Sequence, residues 1–441
     1  MEAIYHYPFI RQIKDFYRYR AQGNIFLEVD VYFRKADLNK INASISKLHQ
    51  KYSLLNCRFI LKEDMLYFDD SVKNQEGYFK ELPENNSIQN PNDYFHPKRV
   101  INQSLDIHNV PLIYYHLYKN DEVMIFKIFA HHMLCDANGL QKIKNDFISF
   151  YNGAEVTETY NFGEYSVKRN NRLFKSLEDN YRYWKNVLSA YDDSVISPID
   201  FAGFNSKSYG EKIASLVHAS YYTPTDEYSR QGKSYHDSFM IDNFAEIQSA
   251  LQKMKISWIS VFMLAFSKTA YAYQGKSLIG LLVSGKNDVF SMNSIGEYSG
   301  ESFYPAEDQD LNYENLLATT NSFMTVSKHL IFNYALLNWD EEKFFRNICK
   351  SFINLSIMDG FSCEEGKLKK FEAIDLIFLE LEPLLFLSKS DGLVYINWRF
   401  NTSKISEQTM IQIAEDFTGN FRKCLSSCLE KHQKTLQNTM I

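Results

Sequence analysis

The chain has 441 residues, 45% of them apolar and 23% charged, with 34 Phe and 30 Tyr. It can bury a large aromatic core, and its length predicts two domains or one doubled plan. A formal charge of −6, from 48 basic and 54 acidic residues, gives no overall field for nucleic acid.

The N-terminal "MEAIYHYPFIRQIKDFYRYR" has no signal-type apolar core, and no window of about 18 apolar residues occurs, so a cytoplasmic protein without a membrane span is expected. Arg11, Lys14, Arg18 and Arg20 there read as a solvated helix face or a meeting place for an acidic carrier or a nucleotide phosphate. "IFLEVDVYF" (25–33) alternates as a half-buried strand does. Asp37 then caps a helix whose Leu38, Ile41, Ile45 and Leu48 form one stripe. "LLNCRFILKEDMLYF" predicts a hairpin turning near Glu63 and Asp64, and the Asn/Pro-rich 81–98 a long loop. Strands return at "PLIYYHLYK" and "EVMIFKIFAHH", followed by a helix over "GLQKIKNDFISFYNG" that stops at Gly153.

The second half repeats this plan. "SYHDSFMI" is strand-like, and Asn243 with Glu246 predicts a capping box for a helix carrying Phe244, Ile247, Leu251 and Met254. An apolar helix, "SWISVFMLAFSKTAYAY", leads to "SLIGLLVSG", a strand buried on both faces. "FLSKSDGLVYINWRF" predicts an Asp-Gly hairpin, and Ser406 opens a last helix through Met410, Ile413 and Phe417. Turn formers and rising polarity over 189–235 place a boundary there, giving domains 1–190 and 191–441. Six scattered cysteines, Cys57, Cys135, Cys349, Cys363, Cys424 and Cys428, read as reduced thiols; Cys424 and Cys428 share a helical face as packing, not metal ligands.

The stretch that bears on chemistry is "IFKIFAHHMLCDANGLQ" (125–141). Successive strand side chains point to opposite faces, so one of His131 and His132 can face a cleft while the other packs into protein. Two readings stand: strand-end histidines satisfied by local hydrogen bonds, or an imidazole serving as a general base near neutral pH. A metal site would need further ligands, and adjacent strand histidines diverge. Asp136 reads as a helix cap, as a brace for the loop, or as both.

"HHMLCDANG" resembles the HHxxxDG motif of the condensation-domain and chloramphenicol-acetyltransferase-like superfamily of acyltransferases. "NYRYWKNVL" is similar to its YWxxxL segment, "SIGEYSGESFYP" to its IGxFxNxxP region, and "ISWISVFMLAFSKTAYAYQGKSLIGLLVSGKND" and "LVYINWRFNTSKISEQTMIQIAEDF" to its second-lobe elements. The resemblance implies an α/β fold of two chloramphenicol-acetyltransferase-like lobes, each a mixed sheet with flanking helices, set as a V around a central tunnel. It implies His132 as general base, His131 as structural, and Asp136 braced by Lys286 in the place of a customary arginine. Ala137, Asn138, Gly139, Tyr298, Glu301 and Ser302 would line the substrate. The donor would be an acyl thioester on coenzyme A or on the phosphopantetheine arm of a carrier protein, the acceptor a small alcohol or amine, with no metal and no permanently bound cofactor.

The chain departs from the motif at Ala137, where glycine is usual, at Gly139, where serine is common, and at Gly300, where asparagine is expected. The DFGWG signature of the plant-type subgroup is absent, and no attached adenylation or carrier segment is expected. A freestanding acyltransferase of secondary-metabolite or lipid assembly is therefore expected. A non-catalytic docking protein for a carrier protein or tailoring enzyme is the alternative. Epimerisation of a tethered aminoacyl group is a third reading, with Glu301 as its second acid/base.

Overall fold

The structure is a computed structural model that describes residues 5–6, 26–62, 65–69, 79–81, 112–119, 124–196, 198, 232–283, 286, 288–298, 300–329, 341–358, 369–374, 377 and 379–439. The basic N-terminal cluster, the turn at Glu63 and Asp64, the Asn/Pro-rich loop beyond Glu81, most of the polar boundary stretch and Cys363 lie outside these residues.

The chain runs through β1 (Tyr5–His6) and β2 (Phe26–Phe33) to α1 (Leu38–Lys51), where the Asp37 carboxylate accepts from the N–H groups of Asn39 and Lys40. β3 (Arg58–Lys62) and β4 (Met65–Asp69) are the expected antiparallel pair. β5 (Phe79–Glu81), β6 (Ile113–Lys119) and β7 (Met124–His131) follow, then α2 (Ala137–Tyr151), α3 (Phe162–Lys175) and α4 (Leu177–Ser189).

β8 (Gly232–Met240) leads into α5 (Phe244–Lys253), which lacks the expected capping box. Asn243 is left-handed at φ 54° and its side chain makes no capping bond, because that backbone does not aim the amide at the first helical N–H groups. α6 (Trp258–Gln274) is capped by the Ser257 hydroxyl, which accepts from the Ser260 N–H. Then come β9 (Ser277–Val283), α7 (Val289–Asn293), β10 (Gly300–Ala306), α8 (Tyr313–Lys328), α9 (Glu341–Asn347), β11 (Cys349–Met358) and β12 (Phe371–Ile374). The expected hairpin is β13 (Leu381–Ser388) with β14 (Leu393–Asn401), closed by Gly392 at φ 75°, and α10 (Glu407–Thr439) ends the fold.

The described residues form two compact units. The first takes in residues up to 179 together with those within 284–300, and the second takes in 180–198, 232–283 and 301–439. A single cut at residue 190 does not reproduce this division. Most of α4 belongs to the second unit because Trp184 is fully buried there, edge-on to Phe303, with its indole N–H donating to the His329 carbonyl at 2.7 Å. The chain also leaves the second unit's sheet after β9, contributes 284–300 to the first unit, and returns as β10.

In the first unit, β2, β7, β6 and β5 form a mixed sheet in that order, and β1, β4 and β3 a small antiparallel one. Phe126 of β7 stacks on Phe147 of α2 at 4.4 Å between centroids, and Ile41 and Leu48 of α1 and Ile143 of α2 are buried. This packing fixes the end of β7, where the histidines stand. In the second unit a seven-stranded mixed sheet runs β10-β9-β11-β13-β14-β8-β12. Phe262 and Phe266 of α6 meet Trp398 of β14 and Phe417 and Phe421 of α10, each ring worth roughly 2 kcal/mol of apolar burial. Cys57, Cys135, Cys349, Cys424 and Cys428 are buried, and burial pushes Cys424 and Cys428 up to about 12, so neither of these two offers a thiolate near neutral pH. Among the described residues, no helix is long and apolar enough to cross a membrane.

Candidate active site

β7 ends at a loop whose backbone is tied on both sides. The His131 N–H donates to the Leu112 carbonyl at 2.7 Å, the Leu134 N–H donates back to the His131 carbonyl at 2.7 Å, and the Asp136 N–H reaches the Gly296 carbonyl at 3.4 Å. His131 is buried, and its Nδ1 accepts the Met133 N–H at 3.1 Å, a bond that requires a neutral ring. Burial first, and the neighbouring His132 second, pull His131 down to about 3 from an ordinary 6.5. The consequence has a definite sign. Between these values the unfolded chain takes up a proton that the folded chain refuses, so stability is full above pH 6.5 and falls as the pH drops toward 3. The loss from this group is on the order of 5 kcal/mol across the window. Denaturant midpoints measured against pH should therefore fall less steeply for His131→Gln, whose amide oxygen still accepts from Met133. Parallel curves for the two proteins would mean that the ring is not held neutral.

His132 follows directly after β7, and 30% of its side chain is exposed. Its Nδ1 lies 2.9 Å from Oε2 of Glu297, a carboxylate with no exposed surface. Both atoms are sealed from solvent, and the approach is bent from the ring N–H direction, so the contact is close electrostatic pairing and not a straight hydrogen bond. Glu297 was not among the residues singled out in the sequence.

Asp136 caps α2, its Oδ1 accepting the Gly139 N–H at 2.6 Å. The same oxygen stands 3.7 Å from Lys286 Nζ. Burial pushes Asp136 above its ordinary carboxylate value and Glu297 adds to the rise, while Lys286 and the Gly139 N–H pull against it. Gly139 has a local reason to replace serine: a Cβ there would sit 2.8 Å from Cys135 Cβ and 3.2 Å from Asp136 Oδ1. Asn138 is exposed on the first turn of α2, and Ala137 begins that turn.

The segment carrying Lys286 and Glu297 is anchored to α3. Asp288 caps α7 by accepting the Ser291 N–H, receives the Tyr165 hydroxyl at 2.7 Å, and pairs with Arg172 at 2.8 Å. Partial burial opposes its charge, yet these donors together hold Asp288 well below the usual carboxylate range. Phe290 stacks on Tyr165 at 4.1 Å, and the Arg169 guanidinium lies 5.2 Å from the Tyr298 ring, with Lys286 at 5.6 Å from the same ring. Tyr298 is buried, its hydroxyl meeting Ser294 and donating to the Ile295 carbonyl at 3.0 Å. The first unit thus brings together His131, His132, Asp136, Gly139, Lys286 and Tyr298. Glu301 and Ser302 are buried on β10 and group with the second unit. Among the described residues, no cluster of three or more His, Cys, Asp or Glu is arranged to hold a metal ion.

No protein-family model matches the sequence, and no curated protein is similar to it. Solved structures share the fold. The epimerization domain from the third module of tyrocidine synthetase B is 12% identical with a TM-score of 0.70, covering 97% of this chain and 99% of that one. The condensation domain from the Monacolin K polyketide synthase MokA is 11% identical with a TM-score of 0.65, covering 98% of each chain. The X-domain in its complex with OxyB from teicoplanin biosynthesis is 12% identical with a TM-score of 0.64, covering 97% and 94%. The chain therefore has the condensation-domain-like α/β fold.

Proposed function

We propose that the chain, with its condensation-domain-like fold, is an acyltransferase that moves an acyl group from a thioester of coenzyme A or a carrier protein to a small alcohol or amine. The observation that carries this reading is the partly exposed His132 ring at the end of β7, backed on its inner edge by a buried carboxylate. Its outer nitrogen takes the acceptor's proton as the acceptor attacks the thioester carbonyl. The tetrahedral intermediate then collapses, and the departing thiolate receives that proton from the imidazolium. General-base help of this kind is worth about 10²- to 10⁴-fold. His131 supports the loop in the neutral state, Asp136 and Lys286 brace it, and no acyl-enzyme forms. Such chemistry suits the assembly of secondary metabolites or lipids.

A docking role for a carrier protein or tailoring enzyme is favoured by the likeness to the X-domain that is seen in complex with OxyB. Epimerisation would need a second proton-transfer group facing the substrate, whereas Glu297 lies on the Nδ1 side of His132 and serves the ring instead. Incubating the purified protein with panels of acyl thioesters and acceptors, with mass spectrometry of the products, separates these readings. New esters or amides support transfer. Retention of a carrier protein without any product supports docking. Solvent deuterium in a bound aminoacyl thioester supports epimerisation.

A further inference from the structure

We propose that Glu297 is the positioning residue of His132 and that it fits the site to a hydroxyl-bearing acceptor, an inference that rests on the acyl-transfer reading above. A neutral imidazole carries one N–H. With a buried carboxylate oxygen 2.9 Å from Nδ1, the proton belongs on Nδ1, which leaves the lone pair on Nε2. The neighbouring ring is held in the opposite form, because His131 Nδ1 accepts the Met133 N–H and so carries no proton. The two adjacent histidines are thus fixed in different tautomers by different partners. The bent approach of Glu297 to the ring does not weaken this assignment, since catalytic contacts in unliganded sites are commonly misaligned and tighten when substrate binds.

The acceptor class follows from what such a pair does well. A neutral amine attacks through its own lone pair, and its proton becomes acidic only after the bond to carbon has begun to form. A hydroxyl must lose its proton as the C–O bond forms, so it needs a base whose protonated state is stabilised at that moment. A buried carboxylate against Nδ1 supplies that stabilisation, as in hydrolases that activate a serine hydroxyl. In the balanced step, the acceptor O–H proton passes to His132 Nε2, the C–O bond forms, and the C–S bond breaks. The imidazolium proton then leaves with the thiol. An ester and a free thiol result, with no oxidant or further reactant.

The test compares wild type, Glu297→Gln and Glu297→Asp on one acyl thioester with a matched primary alcohol and amine, taking kcat and KM separately across pH. Nitrogen NMR of the His132 ring is recorded on the same proteins. The expected result is a wild type that prefers the alcohol. Glu297→Gln should lose roughly 10²- to 10³-fold in kcat on the alcohol, with KM little changed and less than about tenfold lost on the amine. Glu297→Asp should recover part of the rate, and the wild-type ring proton should reside on Nδ1. Equal loss on both acceptors, wild-type turnover by Glu297→Gln, or a proton on Nε2 overturns the proposal. No turnover of either acceptor by wild type overturns the acceptor assignment together with the acyl-transfer reading, while an Nδ1 proton in that protein still supports the positioning role. If Glu297→Gln fails to fold, Glu297→Asp and the wild-type tautomer decide.

Discussion

Replacing His132 with alanine is expected to lower kcat/KM for acyl transfer by about 10³-fold, or about 4 kcal/mol of barrier, with most of the loss in kcat. Its side chain is 30% exposed, so little apolar packing is lost with it. What alanine does remove is the group beside the buried Glu297 carboxylate, and that cost belongs to stability, not to chemistry. His132→Gln separates the two effects. An amide N–H can stay beside Glu297, yet an amide cannot accept a proton at neutral pH. Both variants should show that loss of rate, and the glutamine protein should unfold closer to wild type. Free imidazole should restore part of the alanine variant's rate, as expected where the missing group is a proton acceptor.

The second large effect is expected at Asp136. Asp136→Ala removes the cap acceptor for the Gly139 N–H and the carboxylate 3.7 Å from Lys286, whose side chain is only 14% exposed. Losing a cap costs about 1 kcal/mol, and removing one partner of a largely buried pair costs more, so a total of about 3 kcal/mol is expected. Asp136→Asn should behave differently. Burial already raises the carboxyl's pKa, and asparagine keeps an oxygen for Gly139 while mimicking the uncharged form. A loss of about 2 kcal/mol is expected there, since the Gly139 acceptor is kept and the charge opposite Lys286 is not. Denaturant unfolding followed by a probe in the first unit distinguishes the pair. Equal losses would show that the charge, and not the cap, governs this loop.

Much of the fold is legible because its elements announce themselves locally. The alternation of 26–33 sets β2, Asp37 marks the start of α1, and the Asp-Gly pair closes β13 on β14. β11, inside the large sheet, is harder to read: Cys349, Ile353, Leu355 and Ile357 fall on one face of an alternating pattern, but Ser351 interrupts it and Phe352 and Met358 put apolar residues on the other. Asn243 misleads for a related reason: residue type suggests a cap, but its left-handed backbone withdraws the side chain from that duty.

At the site, local sequence exposes His131, His132 and Asp136 because they fall where a strand ends and a helix begins. Glu297 is different. It is one acid within "SIGEYSGES", and its meaning comes from a tertiary contact with a strand end far earlier in the chain, made possible by the anchoring of Asp288 and Phe290 on α3. Glu297, between Gly296 and Tyr298, shares the stretch with a second acid, Glu301, so residue type alone does not single it out. The reason for Gly139 is equally tertiary in kind, since only the close approach of Cys135 shows why a side chain does not fit.

The most direct measurement follows free thiol and product together after the purified protein meets an acyl thioester and a hydroxyl acceptor, with intact-protein mass spectrometry at each time point. The account predicts one thiol released per ester formed, an unmodified protein mass throughout, and loss of both signals in His132→Gln. Acylated protein accumulating before product, or undiminished release by the glutamine variant, would contradict it.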